Sequence, residues 1–258
     1  MKRVIFISVL FLAAQVAFSQ VVVLNYMKVS PNGGERYETV EEQVQKVMQE
    51  HVNRGEMLDW EFYRVHQHGS QSPYQYVTVD VYEDFSSSLK GINWEIVQEV
   101  LGDQVDQVAD EIMASRELVY RETLGFSMGL PTQGDDKFLL ISYMKADNPD
   151  EYYEMEYTAF MPMHKLAIEK GEMVGWSVWT PRLFDERSDY TALTVNGYSS
   201  IDQVGNTNYG SLFDEFSSGK SDQEISEIEE WLDNTSKLRT IVKAQVWEKV
   251  METETAEE

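Results

Sequence analysis

The chain has 258 residues, with 21 Lys and Arg against 45 Asp and Glu, a formal net charge of −24 and no cysteine. So acidic a chain lacks the clustered cations that hold nucleic-acid phosphates or anionic lipid. Without a thiol it has no disulfide framework, thiolate zinc site, Fe–S cluster or cysteine nucleophile, yet its 42% hydrophobic content suits a globular core of one or two domains.

Residues 1–19, MKRVIFISVLFLAAQVAFS, read as an export signal. Lys2 and Arg3 form a positive start, Val4 to Ala14 an uncharged apolar run, and Ala17-Phe18-Ser19 a small-residue cleavage site before Gln20. The apolar run is shorter than the roughly 20 residues of a membrane span. The expectation is a soluble protein in a bacterial periplasm or beyond, with no stable membrane insertion after cleavage near Ser19/Gln20.

Val21–Val29 is β-branched and apolar, as a buried strand requires. Over 37–54, Val40, Val44, Val47, Met48 and Val52 recur at helical spacing, and Gly55 stands where a left-handed cap favours glycine. Strands are predicted over 57–65 and 74–82, with a polar loop from His66 to Pro73. A single helix is predicted over 93–114, then a strand over 116–124 and a linker, 125–137. A second series follows: a strand over 138–145, a helix over 151–170 that Pro162 kinks or restarts, and strands near 173–180 and 190–196. Ser221-Asp222-Gln223-Glu224 has the capping-box pattern that opens a helix. The last strand is predicted over 239–247, and the tail 251–258 is acidic and expected to fray.

The two series match each other. Tyr26-Met27-Lys28 reappears as Tyr143-Met144-Lys145, and Gly55-Glu56-Met57-Leu58-Asp59-Trp60 as Gly171-Glu172-Met173-Val174-Gly175-Trp176. Thr78-Val79 reappears as Thr194-Val195, and Arg116-Glu117-Leu118-Val119 more weakly as Arg239-Thr240-Ile241-Val242. Collinear matches of this kind point to an internal repeat. The element order in each copy is βαββαβ, the ferredoxin-like order. The expected fold is therefore α+β: two tandem ferredoxin-like repeats, 20–124 and 138–250, packed as a pseudo-dimeric α+β barrel within a monomer.

On the duplicated Tyr-Met-Lys strand end and Gly-Glu-Met-x-x-Trp junction, the chain resembles the dimeric α+β barrel superfamily, especially NIPSNAP-like and related exported bacterial proteins. That superfamily includes cofactor-independent monooxygenases, haem-degrading enzymes, haem peroxidases, isomerases and stress proteins, so the resemblance implies the fold more than a reaction.

The expected ligand site is an apolar barrel cavity lined by Tyr26, Trp60, Tyr143 and Trp176, with Lys28 and Lys145 at its rim. Each of these residues has a structural role open to it as well: the tryptophans as core, the tyrosines as strand anchors, the lysines reaching water. Trp179 is of opposite parity to Trp176, so the two face opposite sides of their strand. His66-Gln67-His68 lacks a third metal ligand nearby, and His51 and His164 fall in helices. His164 is weighed as a buried acid–base or haem ligand, with Met48 at its counterpart position. In antibiotic-monooxygenase members of the superfamily, Asn, Trp and Tyr groups do the work; this chain has Asn25, Trp60 and Tyr26, but Asn25 and Tyr26 face opposite sides of their strand and Ser142 replaces the asparagine in the second copy, so that set does not transfer. No G-x-S-x-G elbow, Walker loop or G-x-G-x-x-G occurs. The expected function is binding of a small, largely apolar or aromatic molecule without a cofactor or metal. The alternatives are a cofactor-independent monooxygenase or isomerase, a haem-using enzyme, or a filled-core interaction protein.

Overall fold

The computed structural model describes residues 20–31, 33–66, 73–183 and 189–254. Residues 1–19, where an export signal is expected, Gln67 and His68 of the histidine pair, and 255–258 of the tail lie outside the described residues. The described chain is a mixed α+β structure in two compact units. One holds the chain up to Phe126, Arg182 with the residue after it, and the chain from Lys249 onward; the other holds Ser127–Pro181 and the chain up to Glu248.

In unit 1, strand β1 (Val21–Val29) leads into helix α1 (Gly34–Asn53), then strands β2 (Asp59–His66) and β3 (Tyr76–Tyr82). Short helix α2 (Phe85–Ser88), helices α3 (Trp94–Leu101) and α4 (Val105–Ser115) and strand β4 (Arg116–Leu130) follow. Unit 2 contains β5 (Phe138–Lys145), α5 (Pro149–Met155), a π-helical turn (Glu156–Phe160), α6 (Met161–Glu169), β6 (Gly175–Leu183) and β7 (Ala192–Tyr198). Helices α7 (Tyr209–Ser217) and α8 (Asp222–Leu238) and strand β8 (Thr240–Glu252) complete it. The strands pair antiparallel within each unit, in the order β4-β1-β3-β2 in unit 1 and β8-β5-β7-β6 in unit 2.

In unit 1 the register sets Val23 and Trp60 opposite Asp80, and Asn25 and Phe62 opposite Thr78. These residues therefore share one sheet face. Over that face lies α1, whose Tyr37, Met48 and Val52 pack with Val23, Trp60 and Phe62. Val22, Leu24 and Tyr26 of β1 take the other face, and they too are buried. Unit 2 repeats the division: Met144, Trp176 and Val178 pack with Tyr152 and Met155, while Tyr143 has the opposite parity.

Both long helices end in the same way. Gly55 donates its N–H to the Val52 carbonyl and Glu56 to the His51 carbonyl; Gly171 and Glu172 do the same to Ile168 and Ala167. This double closure needs a left-handed residue, and the glycines sit at φ 68° and 71°. No atom lies within 4 Å of a Cβ added at Gly171, so Gly171→Ala is expected to cost only backbone strain, about 1–2 kcal/mol. Urea unfolding would check it; an unchanged midpoint would argue against the left-handed cap.

Several expected boundaries move. The single helix over 93–114 is broken into α3 and α4, because Gly102 turns at φ 52° and a 3-10 turn, Gly102–Gln104, intervenes. Strand β4 runs on to Leu130, so the first part of the expected linker is strand. The tail from Met251 is held as far as Thr253. Thr253 is buried, its N–H donates to the Trp60 carbonyl at 2.9 Å, and its hydroxyl accepts from the Trp60 N–H at 2.9 Å and donates to Asp59 at 2.6 Å. The capping box at Ser221 and Glu224 forms as its sequence indicates. Pro162 follows a π turn, with α6 restarting at Met161.

Candidate functional site

Within each unit, the tyrosine and tryptophan expected to line one cavity lie on opposite faces of the sheet. Tyr26 and Trp60 lie on opposite faces of the unit 1 sheet. Tyr26 donates to Glu122 at 3.0 Å and stacks on Tyr120 with centroids 4.1 Å apart. Trp60 lies under α1 and stacks on Phe62. Tyr143 and Trp176 are divided in the same way in unit 2. The Tyr143 ring meets Tyr190 edge-on at 5.0 Å and the Lys243 ammonium at 4.3 Å, whereas Trp176 stacks on His164 at 4.9 Å. Lys28 and Lys145 are exposed, and Lys145 is ion-paired with Asp189. Asn25, Trp60 and Tyr82 share the α1-covered face.

A cavity of about 230 Å³ lies on that face in unit 1. Trp60, Met48 and Tyr82 supply apolar wall, and Asn25, Thr78 and Asp80 a polar floor. Glu41 reaches it from α1, Arg116 and Arg121 from β4, and the half-exposed Leu118 and Ile92 lie at its rim. The floor is a closed hydrogen-bond set. The Asn25 amide donates to Thr78 at 2.9 Å and to Asp80 at 3.0 Å, and Arg121 donates to the Asn25 carbonyl oxygen. Burial pushes the Asp80 carboxyl up to about 6, against the Asn25 hydrogen bond and the Arg121 charge, which pull it down. Burial likewise lifts Glu41 to about 7, opposed by Arg116 and Tyr37, with Asp80 adding to the rise.

A larger groove, about 600 Å³, runs along α1 and α4. Its lining is mostly glutamine with charged side chains, and Arg36 already pairs with Glu111 across it. No buried titratable group faces it, so the smaller cavity is the stronger candidate.

Sequence reasoning missed Tyr37, Glu41, Asp80 and the two arginines. The signal was present: Glu41 sits in the apolar stripe of α1, one turn after Tyr37. Asp80 alternates with Thr78 and Tyr82 on one side of a strand whose other side is Val77, Val79 and Val81. The same Tyr-x-x-x-Glu recurs as Tyr152 and Glu156, and Arg116 corresponds to Arg239. In unit 2, Glu156 lies 3.5 Å from Arg239. Burial raises it to about 7 against the pull of Arg239 and Tyr152. Burial drives His164 down to about 3, with Arg239 adding to the fall, so the imidazole is neutral.

A neutral buried imidazole has the donor chemistry of a haem ligand, but the packing does not fit one. Trp176 stacks on the His164 ring at 4.9 Å, and Tyr209 and Phe160 flank it at 5.7 and 6.2 Å. A macrocycle would have to displace them. The unit 1 cavity is also below the roughly 300–1,000 Å³ of drug-sized pockets and excludes a macrocycle. Among the described residues, no helix is long and apolar enough to cross a membrane.

No family model and no curated sequence matches the chain. Solved structures do match over nearly its whole length. A candidate monooxygenase from Lactobacillus acidophilus is 9% identical, covers 91% of this chain and 96% of its own, and has a TM-score of 0.52. One from Fusobacterium nucleatum is 11% identical, covers 91% and 94%, and has a TM-score of 0.53. A haem-binding protein from Thermus thermophilus is 8% identical, covers 90% and 92%, and has a TM-score of 0.50. At these identities the likeness is one of fold.

Proposed function

We propose that the protein binds a small, partly apolar molecule in the cavity of unit 1 and performs acid–base chemistry on it without haem. The reaction class is proton transfer, as in a cofactor-independent monooxygenase or isomerase. The observation that carries this is Asp80: a buried carboxyl on a cavity floor, oriented by Asn25 and raised to about 6. A general base works best with a pKa near the working pH, and an ordinary surface aspartate titrates near 4. Trp60 and Tyr82 give the apolar wall that a ring compound needs. The volume suits a compound of one or two rings. That two matched structures bear monooxygenase descriptions agrees with this reading, and the leader over 1–19 supports its setting outside the cytoplasm.

Ligand-observed NMR with single-ring aromatics (phenol, benzyl alcohol, benzoate, indole) tests the site. At least one should bind wild type at millimolar concentration or better. Leu118→Trp, which fills the rim, should abolish that binding without lowering the melting temperature. Binding that survives in this variant, or no binding by any of the four, would overturn the proposal.

A further inference from the structure

We infer that the ligand of this cavity carries a carboxylate, which seats between Glu41 and Arg116. The inference rests on the cavity being the binding site and specifies the class of molecule it takes: a small aromatic monocarboxylic acid.

The argument is one of hydrogen-bond completeness. At the floor, Asn25, Thr78, Asp80 and Arg121 satisfy one another. At the α1 side the set is incomplete. Tyr37 takes Glu41 as its side-chain partner, while the Nε of Arg116 and the carboxyl oxygens of Glu41 are buried without a full set of hydrogen bonds of ordinary geometry. Arg116 Nε stands 4.0 Å from Glu41, too far for a hydrogen bond. Leaving such groups unmet costs about 1–3 kcal/mol each. Two elements thus bring Glu41 and Arg116 to the wall of the cavity, and the missing partner must accept from a guanidinium and from a protonated carboxyl. A carboxylate does both with its four lone-pair sites.

Charge selects the same class. The groups facing Glu41 are Tyr37 on α1, Asp80 and Tyr82 on β3, and Arg116 and Arg121 on β4, with Tyr76 beside Tyr37. With Glu41 protonated, two guanidiniums face the single charge of Asp80, and an anion restores balance. A cationic ligand would meet both arginines. Protonated Glu41 is the second donor to the incoming carboxylate beside Arg116, so binding keeps that proton in place. Above about pH 7 Glu41 has to take up a proton before the anion seats.

Titration calorimetry with benzoate, benzamide and benzyl alcohol at pH 6.0 and 8.5 tests this on the full chain, with Glu41→Gln beside wild type. Benzoate is ionised at both pH values, so any pH effect belongs to the protein. Benzoate should bind wild type at least ~10-fold tighter than benzyl alcohol at pH 6.0. Its affinity should fall ~30-fold by pH 8.5, the linkage expected about 1.5 units above the Glu41 titration. Glu41→Gln, which keeps a donor without a charge, should bind benzoate with less than ~3-fold change between the two pH values. Benzyl alcohol or benzamide binding while benzoate is excluded would overturn the acid and leave the cavity standing. Benzoate binding with the same pH response in wild type and Glu41→Gln would overturn the seat at Glu41. No binding by any of the three would overturn the cavity assignment with it.

Discussion

Trp60→Ala is expected to destabilise the protein by about 3–5 kcal/mol, the usual cost of emptying a large buried aromatic site. Trp60 is 1% exposed. Its ring lies parallel to Phe62 at 6.2 Å, and Phe62 lies parallel to Tyr76 at 5.1 Å. Tyr37 of α1 meets Phe62 and Tyr76 edge-on. Removing the indole takes one end from that row and widens the adjoining cavity, because the sheet backbone is fixed by pairing with β3 and cannot collapse inward. A tryptophan that only walled a ligand would leave the fold intact when removed; the burial of Trp60 under α1 makes stability the first thing lost. Trp94→Ala is the control, since Trp94 is 64% exposed and should change stability by no more than about 0.5 kcal/mol. Urea unfolding of both variants gives the comparison. A loss below about 1 kcal/mol for Trp60→Ala would contradict the packing.

Glu41→Gln should be close to neutral at pH 4 and stabilising above pH 7. The sign follows from the direction of the shift. Glu41 is raised from 4.5 to about 7 on folding, so the native state holds its proton more tightly than the unfolded chain. The stability that proton confers is complete below about pH 4.5 and is lost as pH rises to about 7, where the native carboxyl ionises too. Glutamine resembles the protonated form at every pH and escapes the loss. The difference between variant and wild type should grow by about 3 kcal/mol between pH 4.5 and 7, then level off. Unfolding curves of the two proteins at half-unit pH steps would show it. A constant difference across that range would mean Glu41 is solvated. The variant-to-wild-type difference is needed because wild type superposes opposing trends: Asp80 and Glu156 share the direction of Glu41. His164, lowered from 6.5 to about 3, loses stability instead as pH falls through that interval.

The order of elements was legible because each rests on local pattern. The valine spacing of α1, the alternation around Thr78, and the glycines at 55 and 171 all report short-range geometry. What escaped depends on distance. Parity within β1 or β2 can be read from sequence, but whether Tyr26 and Trp60 face the same side depends on how the strands register through β3. Trp60 pairs across from Asp80, and so does Val23; that one alignment puts Trp60 with Val23 and Asn25 and leaves Tyr26 on the reverse. The break at Gly102 and the anchoring of Thr253 against Trp60 were hidden for different reasons. The first needed a single glycine to outweigh an otherwise continuous apolar stripe, and the second joins residues nearly two hundred positions apart. Asp80 and Glu41 were hidden in plain view, as two acids among 45. They differ from the rest only by interrupting an apolar face, which is the pattern to search for in such acidic chains.

The π turn in unit 2 has a consequence for the motion of its helix. From Tyr37 to Tyr152 and from Glu41 to Glu156 the spacing is 115 residues, yet from Gly55 to Gly171 it is 116. The second helix therefore has one residue more to place between its glutamate and its glycine cap. It places that residue in the wide turn at Glu156–Phe160, where the Met161 N–H reaches back five residues to the Glu156 carbonyl. Pro162, which has no N–H to give, follows at once. Amide protons of α1 should consequently exchange with solvent deuterium as a single cooperative block. Those of α5 and α6 should form two blocks with separate opening free energies, meeting at the turn that carries Glu156.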